Sequence, residues 1–290
     1  MSGLAKSPRG GYWLDKWREA TISFGRVVPD QHGHQFYKVI GTGFIAATDT
    51  HKVYIVTAKH VFFNPEQNWH PDTLNVRFAW EEGRSVYSDF GVPLPLVRAS
   101  TDLWTSPQDG SDIAAIPMPE AFAQAANPET HQFQAAWPRD MASSDDIYEG
   151  NSVIVLGYPG IVGNEYLVRA VSRSGIIAWV DPNPDAHGIF MVDANLNEGN
   201  SGGPVIAVPG GVDRDGGVSS GKRPLLLGIV SKGPKQDIVI TAGGQPVIMS
   251  GPNLPQPSRL QGTVVGVGSF GVIEPGTKIK EFLLSLSTIK

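Results

Sequence analysis

The chain has 290 residues and not one cysteine. A disulfide framework, a thiolate metal site and a cysteine nucleophile are therefore excluded, and nothing in the composition calls for an oxidising compartment. Charge is also sparse. Asp, Glu, Lys and Arg make up 18% of the residues, and the net charge is −5. There is no basic footprint for nucleic acid and no polybasic patch for a membrane surface. Long apolar runs are missing too: the longest mostly apolar stretch, 263–273, is too short and glycine-rich for a membrane span. The N-terminus carries Lys6 and Arg9 with no apolar segment behind them, so no secretory leader is expected and the location reads as cytoplasmic.

Hydrophobic residues reach 41%, and 34 glycines and 23 prolines punctuate the chain. That balance predicts a globular protein of many short strands joined by turns, an all-β barrel or sandwich. Residues 11–20 place Trp13, Leu14 and Trp17 on one helical face, the mark of a packing arm or, alternatively, an oligomerisation arm. Strands are expected over 21–28, 36–47, 52–61, 73–80, 85–87, 94–99 and 112–118. The Ala/Gln/Pro/Asp-rich stretch 121–147 breaks this rhythm, with a helical turn expected near 121–126. Strands resume over 152–156, 166–180, 188–192, 204–208, 225–230 and 263–273. The chain ends with Ile279, Phe282, Leu283 and Leu286 on one helical face. The expected organisation is an arm (1–20), a first β unit (21–120), a connecting segment (121–147), a second β unit (148–276) and a C-terminal helix (277–290). Residues 209–222 and 234–262 read as loop insertions, the latter a lid or a surface excursion.

The most specific motif is Gly199-Asn200-Ser201-Gly202-Gly203-Pro204, a serine in a glycine-rich turn. Glycines allow a tight turn and leave amide N–H groups pointing outward, where they can bind a tetrahedral oxyanion. The same pattern fits the nucleophile elbow of α/β-hydrolases, but those enzymes place their histidine after the serine. All seven histidines, at 32, 34, 51, 60, 70, 131 and 187, precede Ser201. The order here is histidine, acid, serine. His32 and His34 have no third ligand in pattern, so no metal is expected.

At this point the chain resembles the chymotrypsin/trypsin-like serine proteases. Thr57-Ala58-Lys59-His60-Val61 resembles their histidine segment, and Ser111-Asp112-Ile113-Ala114 their aspartate segment. The 199–204 turn resembles their nucleophile loop, and Gly228 to Gly233 the strand that lines their specificity pocket. The stretches 41–44, 157–159 and 193–201 are most similar to the bacterial Deg/HtrA-type proteases. The resemblance implies two six-stranded antiparallel β-barrels with His60, Asp112 and Ser201 as a catalytic triad. It also implies an oxyanion hole from the Gly199 and Ser201 amides, with Ser231 on the triad aspartate. Asn195, Ser231, Lys232 and Gly233 would line the substrate pocket. A neutral Asn195 at the pocket floor implies cleavage after small or medium apolar residues rather than Lys or Arg, with Gly268, Ser269 and Phe270 as a further wall. The peptide-binding PDZ module common in the Deg/HtrA group is not expected, since the chain stops at a helix.

Asn200 stands where many animal members carry an aspartate that pairs with a newly cut N-terminus, so activation by such a cut is not expected. The function expected is a serine endopeptidase acting on proteins or peptides. It needs no cofactor, and an oligomer is possible. The alternatives are a catalytically latent binding module on the same fold, and an esterase or amidase using the same triad.

Overall fold

The computed structural model describes residues 13–78, 91–119, 122, 134–160, 169–183, 188–219, 223–232, 238–242, 245–249 and 270–288. The first half runs from helix α1 (Trp13–Ala20) into strands β1 (Thr21–Pro29), β2 (Gln35–Ala47) and β3 (Val53–Thr57), then a short helix α2 (Lys59–Phe62). It continues with β4 (Thr73–Phe78), β5 (Val92–Pro95), a small hairpin β6 (Val97–Arg98) and β7 (Thr101–Asp102), and β8 (Ala114–Pro117). The second half holds β9 (Ser152–Gly157), β10 (Val171–Val180), β11 (Phe190–Asp193) and β12 (Pro204–Ala207). Two hairpins follow, β13 (Gly211–Val212) with β14 (Val218–Ser219), and later β16 (Ile238–Ala242) with β17 (Gln245–Met249). Between them lies β15 (Leu226–Lys232); β18 (Phe270–Pro275) and helix α3 (Gly276–Thr288) end the described chain.

The fold is mostly β, in two six-stranded antiparallel units, as the sequence leads one to expect. The second unit is a closed barrel in the order β10-β11-β18-β15-β12-β9. The first differs in one respect. Its order is β5-β4-β1-β2-β3-β8, and among the described residues the edge strands β5 and β8 do not pair with each other. The outer edge of β8 is instead met by Thr105, which exchanges both backbone hydrogen bonds with Ala115 at 2.9 Å. The strands expected at 85–87 and over 263–269 and the helical turn near 121–126 lie largely or wholly outside the described residues; of the 234–262 insertion, read as a lid or a surface excursion, only the β16–β17 hairpin is described.

Three cores follow from the period-2 alternation of side chains. On β2, Ile45 and Ala47 enter the core of the first sheet, while Phe44 and Ala46 face the junction of the two units. On β3, Ile55 goes inward and Tyr54 and Val56 face the junction. On β9, Val153 and Val155 fill the barrel and Leu156 turns to the junction. Both faces of these strands are therefore buried, which is why the sequence shows unbroken apolar runs there. Helices α1 and α3 close the junction from outside: Leu14 and Trp17, with Ile279, Phe282, Leu283 and Leu286, all join that core. The loop between β1 and β2 is a turn capped by Asp30, whose carboxylate accepts the amides of His32 and His34 at 2.8 Å each.

Candidate active site

Strand β3 delivers the chain to the junction, where Ala58 stays extended and α2 begins. His60 thus sits in a first helical turn, where amide N–H groups lack helical partners. Asp112 supplies them. Its Oδ1 accepts the His60 amide at 2.9 Å, and its carbonyl accepts the Lys59 amide at 3.2 Å. Its Oδ2 lies 2.7 Å from His60 Nδ1 and also accepts the Ser231 hydroxyl at 2.7 Å. Against an ionised carboxylate, which only accepts, Nδ1 is the donor, and in the neutral imidazole that tautomer leaves the Nε2 lone pair available to take a proton. The Asp112 side chain is 18% exposed and that of His60 32%, a shielded acid behind an imidazole open to a substrate.

The serine loop comes from the other half and is fastened to the first by Thr42. The Thr42 amide donates to the Ser201 carbonyl at 2.7 Å, and its hydroxyl donates to the Gly199 carbonyl at 2.6 Å. That hydroxyl also accepts the Tyr158 amide at 3.0 Å, and the Thr42 carbonyl accepts the Thr57 hydroxyl at 2.6 Å. Gly202 lies against Thr42, Thr57 and Ala58, and its φ of 81° is in the left-handed region. A Cβ there would collide with backbone, so only glycine lets Ser201 come this close to the strand that leads to His60. Ser201 Oγ itself makes no hydrogen bond among the described residues.

The amides of the loop fall into two groups. Those of Asn200, Gly202 and Gly203 donate to Asn197, Val230 and Asn200 carbonyls at 3.1, 2.7 and 2.8 Å. Those of Gly199 and Ser201 donate to nothing among the described residues. The peptide plane explains their direction, because C=O and N–H point opposite ways across a trans bond. The Glu198 carbonyl is held by the Gly160 amide at 2.9 Å, which turns the Gly199 N–H to the other side. The Asn200 carbonyl is held by Gly203, which does the same for Ser201. Gly199 reaches this geometry with φ of 90° while packed on Tyr158 and Gly160.

The expected pocket residues are less fully placed. Asn195 is exposed with a left-handed φ of 47°, and its carbonyl accepts Arg173 Nη1 at 2.5 Å. Burial lowers the Arg173 guanidinium from its usual range. Ser231 is buried and directs its hydroxyl to Asp112; Lys232 is exposed and pairs with Val272. Phe270 is exposed, while Gly233, Gly268 and Ser269 lie outside the described residues.

Three residues of this region carry roles that sequence reasoning missed. Thr42 was legible only as the small residue between Gly41 and Gly43. Glu274, buried in β18, accepts the Asp112 amide at 3.0 Å on Oε1 and Lys278 Nζ at 3.2 Å on Oε2. Asp109 sits beside this group. Partial burial alone would raise its carboxyl, but the Ser111 hydroxyl and amide and the Lys278 charge bring it below the usual range. The signal for Glu274 was a lone acid in an apolar strand, Phe270 to Pro275.

Two antiparallel six-stranded β units, with a histidine–aspartate pair on one and a glycine-framed serine loop on the other, make the architecture of a trypsin-like serine protease. The model of the trypsin-like peptidase domain matches residues 41–212, and the chain belongs to that family. Among solved structures, an HtrA-type protease, AlgW, recorded with a tripeptide, is similar at 16% identity and a TM-score of 0.48. That match covers 95% of this chain, which spans 62% of the other. Comparison with curated proteins gave no match. Among the described residues, no helix is long and apolar enough to cross a membrane.

Proposed function

We propose that the chain is a serine endopeptidase of the HtrA-like kind, with His60, Asp112 and Ser201 as its triad. The observation that carries the reading is the Ser231–Asp112–His60 hydrogen-bond chain together with a serine loop, tied through Thr42 to the first unit, whose Gly199 and Ser201 amides have no partner among the described residues. A serine hydroxyl is a weak nucleophile until a base takes its proton. His60 Nε2 takes that proton as Oγ attacks the scissile carbonyl carbon. Asp112 fixes the tautomer and stabilises the imidazolium that forms. The Gly199 and Ser201 amides receive the oxyanion, each donor contributing about 3 kcal/mol to the barrier reduction. His60 then gives its proton to the leaving amine, and an acyl group stays on Ser201. Water, deprotonated by His60, attacks the ester and restores the serine.

No step needs a metal or cofactor. The neutral, exposed Asn195 supports cleavage after small or medium apolar residues. The absence of cysteine suits a cytoplasmic site of action. The test is hydrolysis of an unfolded protein beside a small ester. Wild type is expected to cut the protein at internal bonds, and Ser201→Ala to lose activity by at least about 10⁴-fold. Turnover of the ester alone would make the chain an esterase, and a product profile dominated by Lys or Arg would contradict the pocket assignment.

A further inference from the structure

We infer that Glu274 is a positioning residue of this site, holding the triad aspartate in place from the opposite β unit. The inference rests on the triad reading above. Asp112 is carried by the first unit and Ser201 by the second, so catalysis needs the two held in register to within a fraction of an ångström. The Asp112 side chain is fully committed to His60 and Ser231. Its backbone amide is committed to Glu274 Oε1 at 3.0 Å.

Glu274 is 6% exposed, and its second oxygen meets Lys278 in the first turn of α3. A buried carboxylate is retained only when paired and hydrogen-bonded, and here one oxygen takes each role. The Lys278 charge also favours the ionised form of Asp109, at the start of the turn that delivers Asp112. The Ser111 amide and hydroxyl bind that Asp109 at 2.9 and 2.6 Å, so the segment from 109 to 112 is a braced turn. Among the described residues, its hydrogen bonds to the second unit come from Glu274 and Ser231. Ser231 fixes the carboxylate; Glu274 fixes the backbone from which that carboxylate hangs.

The test compares Glu274→Gln with Glu274→Ala in the full chain. Glutamine keeps an oxygen that can accept the Asp112 amide; alanine keeps none. Two readouts serve: the rate of labelling by a fluorophosphonate probe, and the downfield proton NMR signal of the His60 Nδ1–H···Asp112 hydrogen bond. Thermal melts ensure that both variants are measured folded. The alanine variant is expected to label on the order of 10–100-fold more slowly, with the downfield signal broadened or lost. The glutamine variant is expected to stay within a few-fold of wild type with the signal present. A folded alanine variant with wild-type rate and signal would overturn the inference, as would a glutamine variant impaired to the same degree. The NMR signal needs no nucleophilic serine. If wild type shows the signal but does not label, the triad reading fails, while loss of the signal in the alanine variant alone still supports the role of Glu274.

Discussion

Asn200 lies between the Gly199 and Ser201 amides of the serine loop and is 1% exposed, with its side-chain oxygen against Gly157 and, among the described residues, no partner for its Nδ2. A neutral amide tolerates that position at the cost of one lost hydrogen bond. A carboxylate would bring an unpaired charge into the same space. Asn200→Asp is expected to cost about 3–5 kcal/mol of stability at neutral pH. Chemical denaturation measures it, and an unchanged midpoint would show that a counter-charge reaches the site. The residues of the proposed triad could be picked from the sequence at this scale because each sits in a local motif. Thr42 and Glu274 could not, since their partners lie 157 and 162 residues away and no local spacing encodes such a contact.

The elements show where periodicity informs and where it saturates. Helix α3 was readable from one apolar stripe, and all four of its expected residues are buried in the junction core. Leu283 is fully buried there, so Leu283→Ala is expected to cost about 2–5 kcal/mol, read as a lower denaturation midpoint. A cost near zero would mean that α3 packs on the junction without supporting it. Strand β3 is the converse case. Its apolar run says that both faces are buried, but not that one face meets the first core and the other the junction. The pairing of β8 with Thr105 was likewise hidden, because a single bridge leaves no periodic trace.

For the whole molecule, the site exists only where two β units meet. One brings His60 and Asp112, the other Ser201, Ser231 and Glu274. The ties across the junction among the described residues include Thr42 to the serine loop and Tyr158, Tyr158 to Thr21, Arg18 to Ser172, Ser231 and Glu274 to Asp112, and the apolar core closed by α1 and α3. Two halves could be read from the sequence, since the strand rhythm stops and restarts; the cross-links between them could not. The central claim is that this junction activates Ser201, and a fluorophosphonate probe tests it most directly. The purified chain is labelled beside Ser201→Ala and His60→Ala, and the adduct is mapped by mass spectrometry. The account predicts a single adduct on Ser201 in wild type and none in either variant. A folded wild type that takes up no label, or labels equally well without His60, would contradict it.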